Sequence, residues 1–450
     1  MPRESGDLLP AGDSFHSTIP AAFEQVASEH ATNTAIQSAQ GPISFGALNS
    51  LANRIARELL DSTRGKQPVA LLLPKGMRWV AALLGTMKAA LPVAPLELNR
   101  HLSQLQFQIR DLEPDALITD TAGVGTAKSL GVRSILLADD YPAVEGEPNL
   151  GLEIHPDDLA AIFYTSGSTG RPRGVMQPHR SLVNNACVQI GQLGYQSTDR
   201  MLLLTFHVGA LMSSLLSGGS SSFLSEGEGG LSGILQRIQS EQITVILATT
   251  STFRNLANMA GGPEAFASVR LVYVGSETVF RSDVTLFQKL FPGRAVFASN
   301  YGSTEALGVA FVDLGAESFS SDIPSIGRAF AGKEIMILGP DGSPLPPGQV
   351  GELAVRSRFI GTGYWKGPDE TKSRFLTDPE DSTLYTFLTR DMGEILPDGS
   401  VFLHGRQDSM VKVRGSLVPL QDVEGALAAL DEWRRRWCWR PSRMTAIAAW

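Results

Sequence analysis

Residues 164–174 read YTSGSTGRPRG and follow directly on the apolar run LAAIF. Glycines and small hydroxyl residues let backbone N–H groups approach a phosphate chain, the hydroxyls add donors, and a basic residue offsets polyphosphate charge. Thr165, Ser166, Gly167, Ser168, Thr169, Gly170 and Arg173 are therefore candidate polyphosphate ligands. No Gly-Lys-Ser/Thr follows the glycines, so this is not a Walker loop. A Gly/Ser-rich stretch on its own is also ordinary turn or linker chemistry; the order of all eleven residues is the more specific signal. A second turn, SNYGSTEA (299–306), follows the apolar RAVFA and carries an aromatic ring, hydroxyls and Glu305. A lone Glu after a Gly turn can equally be a solvated cap.

The elements that must position these groups alternate along the chain. Ala47, Leu48, Leu51, Ala52, Ile55, Ala56, Leu59 and Leu60 recur at helical spacing. PVALLLP (68–74) is a short continuous apolar run of the kind a buried parallel strand shows. A helix is expected over 77–90, an extended PVAPL after it, a helix near 102–111 and a strand at ALITD (116–120). The alternation resumes at ITVILATT (243–250), VRLVYVG (269–275) and RAVFASN (294–300). Strand–helix alternation of this kind predicts an α/β body with doubly wound sheets. From about 325, KEIMIL and GELAVRS joined by GPDGSPLPPG predict a β-rich subdomain, and LPDGS (396–400) a further turn before a strand ending at HGRQD. The expected organisation is a loose lead-in over 1–20, a core over 21–407 and a small C-terminal α+β domain over 408–450.

Composition bounds the class. In 450 residues, 43% hydrophobic and 19% charged residues describe an ordinary globular chain. A net charge of −8 argues against a nucleic-acid or anionic-membrane surface. Two cysteines, Cys187 and Cys438, make no disulfide framework, which points to a reducing cytoplasm. The N-terminus shows no apolar signal region. No uncharged apolar run reaches the ~18 residues of a membrane span; the stretch 201–216 is interrupted by His207, Gly209 and paired serines and reads as a buried strand and helix. A soluble protein without a transmembrane segment is expected.

YTSGSTGRPRG resembles the phosphate loop of the adenylate-forming superfamily: acyl-CoA synthetases, peptide-synthetase adenylation domains and beetle luciferases. That family usually has Lys where Arg173 stands, and Arg keeps the charge but not the compact geometry. The similarity continues through GVMQPHRSL, where His179 occupies the family's histidine position; otherwise it would read as a surface or capping residue. In SNYGSTEA the resemblance implies that Tyr301 stacks on adenine, Thr304 meets the α-phosphate and Glu305 helps hold Mg²⁺, with Asn300, Gly302 and Ser303 in the same nucleotide-binding segment. An aromatic face suits a purine and a hard oxygen ligand suits Mg²⁺. Gly275, Ser276 and Glu277 match the adenine-side turn. Asp391 in LTRDMG resembles the aspartate that accepts both ribose hydroxyls, with Arg390 at the family's glycine; a positive φ there would strain Arg390. Arg406 and Asp408 match the GRxD signature, with Asp408 at the hinge between large and small domains. GELAVRSRFIGTGYWKGPDETKSRFL (351–376) and KAALPVAPLELN (88–99) also match family framework, and the resemblance spans about residues 20–430.

The family activity would be activation of a carboxylic acid by ATP to acyl-AMP, with pyrophosphate released, followed by transfer to coenzyme A or a carrier-bound phosphopantetheine. His207 lies where amino-acid-activating members place an aspartate, and a neutral imidazole is no counter-ion for a substrate ammonium. With Gly275 and Ser299 it is assigned to the substrate pocket; it reads equally as a satisfied core histidine. The resemblance also implies a late C-terminal lysine bridging carboxylate and α-phosphate, but no lysine follows Lys412, and SLVPLQDVE departs from the family at Leu417 and Pro419. The C-terminal domain therefore reads as truncated or divergent. Its tail holds four of six tryptophans and five arginines in the last 18 residues, either an altered terminus or a basic aromatic patch for a membrane or partner. The competing expectations are a catalytically weak nucleotide- or acyl-adenylate-binding paralogue and a fragment of a larger peptide-synthetase-like assembly working with a carrier protein.

Overall fold

A computed structural model of the chain describes residues 17–38, 41–143, 146–166, 171–224, 230–291, 293, 295–315, 322–407, 410–413 and 416–419. Among these, two large sheets share one helical layer. The nine-stranded sheet runs in parallel through its middle, from Thr34–Ser38 by way of Ser220–Phe223, Arg200–Leu203, Val245–Thr249 and Leu271–Gly275 to Val296–Ser303. Antiparallel strands close both its edges. The seven-stranded sheet has Val93–Pro95, Val69–Leu71, Ala116–Thr119 and Ser134–Leu137 in parallel, with the antiparallel hairpin Leu159–Ser166/Pro172–Pro178 beside them.

The helical layer follows from local sequence. Ser44 caps Phe45–Ser62 by accepting from the Ala47 N–H at 3.1 Å, supplying one of the partners that a helix start lacks. One face of this helix, Leu48, Leu51, Ile55 and Leu59, is wholly buried. Met77–Lys88 is buried from Trp79 onward on every side, as a helix sandwiched between two sheets must be. The largest core joins these helices to Ile36, Leu203 and Leu247 of one sheet and Val69, Val93 and Ile118 of the other. A second core on the far face of the nine-stranded sheet is aromatic, with Phe287 stacked on Phe291 at 4.7 Å and on Phe297 at 4.8 Å. Cores on both faces make this sheet doubly wound, as the alternation predicts.

A third, antiparallel sheet places Gly351–Ser357 between Glu334–Leu338 and Tyr385–Ile395, with Val401–Arg406 beyond. Its core residues Ile337, Leu353, Val355 and Phe387 pack with Val175 of the hairpin and with Ala306 and Val309. This core ties the third sheet to both others beside the hairpin and the Ser299–Ala306 segment.

Three boundaries differ from expectation. The first helix starts at Ile19, inside the expected loose segment, because Thr18 caps it. The strand expected to end at 300 runs on to Ser303, since Leu307–Asp313 pairs with it. The strand before the phosphate-loop motif includes Tyr164, Thr165 and Ser166, which pair with Gly174, Arg173 and Pro172. The tail from 420 onward lies outside the described residues. Among the described residues no helix is long and apolar enough to cross a membrane.

Leu51→Ala should cost about 3 kcal/mol through lost burial and the cavity left behind. Leu60→Ala, at a position 43% exposed one helical surface away, should cost under about 0.5 kcal/mol. Chemical-denaturation midpoints of the two variants check this contrast.

Candidate active site

The hairpin Leu159–Ser166/Pro172–Pro178 brings Thr165 opposite Arg173 at its tip. Gly167, Ser168, Thr169 and Gly170 lie outside the described residues. Arg173 is not left to solvent: its guanidinium pairs with Glu370 at 2.6 Å and sits 5.9 Å from the centre of the Tyr364 ring. Tyr364 lies in the short strand Gly363–Tyr364, which pairs with Val175 and Met176 of the hairpin. Its hydroxyl donates to Glu305 Oε1 at 2.9 Å. Burial and the Glu305 carboxylate both push the Tyr364 phenol up, so it stays a donor. Tyr364 thus links the phosphate-loop hairpin to the second motif.

That motif begins in the strand Val296–Ser303, which carries Ser299, Asn300, Tyr301, Gly302 and Ser303. Gly302 is required sterically, because a Cβ there would lie 2.1 Å from the Leu307 carbonyl oxygen. Ser303 Oγ accepts from the Ala306 N–H at 3.1 Å, shaping the turn that presents Thr304 and Glu305. Tyr301 donates its hydroxyl to Asp391 Oδ2 at 2.5 Å. The strand pair Tyr385–Ile395/Val401–Arg406 places Arg406 directly across from Asp391. The residues with adenine-side, metal-side and ribose-side roles implied by the sequence therefore adjoin one another. Asp408 lies outside the described residues.

Arg390 adopts φ +64°, the left-handed conformation that favours glycine. Its N–H is held by Glu352 Oε1 at 2.8 Å, and the Asp391 N–H donates to Thr389 Oγ1 at 3.0 Å. These two bonds fix the turn that aims Asp391.

At the end of Leu271–Gly275, Gly275 pairs with Asn300. Ser276, at φ +68°, lies with its hydroxyl 3.3 Å from His207 Nε2. Burial holds the His207 imidazole below its ordinary value, hence neutral near pH 7. Glu277 instead caps a neighbouring helix, accepting from the Ser251 N–H at 2.7 Å and the Ser251 hydroxyl at 2.9 Å. Beside His207, Phe206 and Trp79 flank the Lys75 ammonium at 4.0 and 4.1 Å from their ring centres, and burial brings Lys75 down to about 8.

Mg²⁺ is commonly bound by one or two carboxylates together with substrate phosphates rather than by an all-protein cage. Among the described residues no group of three or more acidic, His or Cys side chains could hold a metal. Glu305, engaged through one oxygen by a neutral phenol and by no cation within ion-pair distance among the described residues, fits that mode. Sequence reasoning missed Tyr364, Glu370 and Lys75. The first two sit in the matched GTGYWKGPDE framework, whose similarity does not reveal which side chains turn toward the motif.

His179 begins the helix His179–Leu193 and is 2% exposed. Its Nδ1 accepts from the Ile19 N–H at 3.4 Å, 160 residues away. It is a core residue rather than a surface one. Burial lowers its pKa to about 4, against a smaller opposing pull from Asp158. The folded state then binds fewer protons than the unfolded state between the ordinary value near 6.5 and about 4. The stability held above 6.5 should be lost as pH falls through that window, to a total of about 3 kcal/mol from this group. Melting curves from pH 7 to 4 should show this slope in the wild type and a shallower one in His179→Asn.

Comparison with known proteins places this geometry. The sequence model of the family described as AMP-binding enzyme matches residues 23–365. Bacitracin synthase 3 of Bacillus licheniformis is 29% identical over 427 residues, covering 92% of this chain but 7% of that protein. Zwittermicin A synthase ZmaJ of Bacillus cereus is 27% identical over 405 residues, covering 86% of this chain and 76% of its own length. The chain thus spans only a small fraction of the large synthases it matches, such as 6% of tyrocidine synthase 3 of Brevibacillus parabrevis. The crystal structure of ATP-bound MatB from Rhodopseudomonas palustris has the same fold, with a TM-score of 0.79 at 24% identity over 92% of this chain and 84% of that one. The phosphate-loop hairpin, the Tyr301–Glu305 segment and the match over most of the chain together make it a member of the AMP-binding enzyme family, within the adenylate-forming superfamily.

Proposed function

We propose that this chain uses ATP and Mg²⁺ to adenylate a small-molecule carboxylic acid and passes the acyl group to a thiol, either coenzyme A or phosphopantetheine on a carrier protein. The observation that carries the reading is the meeting of Arg173, Tyr364 and Glu305 on one side with Tyr301 and Asp391 on the other. A phosphate chain laid along this line meets cation and hydroxyls at one end, and a nucleoside meets ring and carboxylate at the other.

In this reading a carboxylate oxygen of the acid attacks the α-phosphorus, the bond to the bridging oxygen of the β-phosphate breaks, and pyrophosphate leaves with that electron pair. The protein's work is alignment and neutralisation of developing charge. Thr165, Ser166 and Arg173 serve the phosphates, Thr304 the α-phosphate, Asp391 the ribose and Tyr301 the adenine. Glu305 would hold Mg²⁺, which supplies Lewis-acid neutralisation of the phosphates. Engagement of a phosphate by Arg173 requires its exchange away from Glu370. The neutral His207 supports an acid without an α-ammonium group, and peptide synthases among the relatives support a carrier-borne thiol as acceptor.

A second reading, a nucleotide-binding protein of weak turnover, is favoured by the Arg173–Glu370 pair and by the left-handed Arg390. A panel of carboxylic acids with Mg·ATP, hydroxylamine trapping and pyrophosphate detection separates the two. Pyrophosphate release with at least one acid is expected; ATP binding with no turnover for any acid leaves the second reading, and no ATP binding contradicts both. With the best acid, Glu305→Gln should lower turnover by about 10²-fold. Asp391→Asn should raise the Kd for ATP by about tenfold, the equivalent of one charge-assisted hydrogen bond.

A further inference from the structure

The backbone of the turn bearing Thr304 and Glu305 is gripped by donors from three other segments. Gln177 Nε2 donates to the Thr304 carbonyl at 2.6 Å and to the Glu305 carbonyl at 3.2 Å. The Gly361 N–H donates to the Glu305 carbonyl at 2.7 Å. Lys333 Nζ donates to the carbonyls of Ala306 and Gly308, the latter at 2.5 Å. Between these two carbonyls Leu307 sits at φ +56°, a conformation that costs an L-residue about 1–2 kcal/mol and persists only where its surroundings hold it.

Neither side chain is placed for packing alone. Lys333 is 8% exposed, and among the described residues no carboxylate lies within ion-pair distance of it. Its hydrogen-bond acceptors are carbonyls of this turn. Burial brings the Lys333 amine down to about 7, a cost that an apolar side chain of the same length would avoid while filling the same space. Gln177 is fully buried, and among the described residues its Oε1 has no donor, a second cost accepted while Nε2 stays on the turn. With the carbonyls fixed, Glu305 retains freedom only in its side-chain torsions, and the Tyr364 hydroxyl restrains those.

We propose that Gln177 and Lys333 are positioning residues that hold the Thr304–Gly308 backbone so that Thr304 and Glu305 meet the α-phosphate and Mg²⁺ of bound Mg·ATP. The proposal rests on the Mg·ATP reading of those two residues. Gln177 comes from the phosphate-loop hairpin and Lys333 from the entry to the third sheet, so the clasp makes the metal-side turn depend on both. A merely structural role would lower stability and leave the affinity of the folded protein intact. A positioning role lowers the Mg²⁺-dependent part of ATP affinity in protein that is still folded.

The test is calorimetric titration of the full chain with ATP, in excess Mg²⁺ and in EDTA, for wild type, Gln177→Met and Lys333→Met. It is run at a temperature where circular dichroism shows each variant folded. The Kd in Mg²⁺ should rise by about tenfold or more in each variant, and by a clearly larger factor than the Kd in EDTA, where only the Thr304 contact is lost. Folded variants with the wild-type Kd in Mg²⁺ overturn the proposal, as does an equal rise in both conditions. If Lys333→Met does not fold, Gln177→Met decides alone by the same criteria. A wild type that binds no ATP overturns the functional reading, and this proposal with it; a wild type that binds while the variants match it overturns only the clasp.

Discussion

One hydrogen bond, from the Tyr364 phenol to the Glu305 carboxylate, spans the junction between the two large sheets. Tyr364 belongs to the seven-stranded sheet through its pairing with the phosphate-loop hairpin. Glu305 belongs to the turn at the edge of the nine-stranded sheet. The bond forms only because both sheets are held in place by the helical layer between them, of which Met77–Lys88 is buried on all sides from Trp79 onward, and by the shared core that joins Val175, Ala306 and Tyr364. The geometry is specified by packing; the few polar contacts then select which side chains face one another.

The electrostatics divide the proposed site into two ends, one assigned to the phosphates and one to the nucleoside. At the phosphate end Arg173 already has an acidic partner in Glu370, so its charge is stored rather than missing. In the proposed reading, binding a polyphosphate would exchange one anion for another, which costs less than creating an unpaired buried cation. At the nucleoside end Asp391 is oriented by Tyr301 and by a turn whose left-handed residue is Arg390. Two bonds, donated by the Arg390 and Asp391 N–H groups to Glu352 and Thr389, hold the turn against the strain that a non-glycine side chain introduces there.

Much of this was legible in the residues. Periodicity located the main helices and the parallel strands because each buries one face or both, and burial writes itself into the pattern of apolar residues. In YGSTE the glycine could be read as a close backbone approach, since a Cβ at Gly302 would meet the Leu307 carbonyl. What could not be read depends on tertiary placement. Lys333 in AGKEIM looks like a solvated lysine before a strand, and Gln177 in GVMQPH like any polar residue, yet both are buried against one turn. His179 looked like a surface or capping group because nothing in a sequence shows that Ile19 packs against it. Glu277, assigned from resemblance to the nucleotide side, also has a partner no sequence shows, the Ser251 N–H and hydroxyl at a helix start. Strand ends were misjudged where an antiparallel neighbour, not propensity, extended them.

The central claim is that Tyr301, Asp391, Glu305 and Arg173 form one continuous ATP site. A crystal structure of the chain with a non-hydrolysable ATP analogue and Mg²⁺ tests it most directly. The account predicts the adenine against the Tyr301 ring, the ribose hydroxyls on Asp391, the metal on Glu305, and Arg173 moved from Glu370 onto a phosphate. A nucleotide bound elsewhere, or one whose phosphates point away from Arg173 and Glu305, would contradict it.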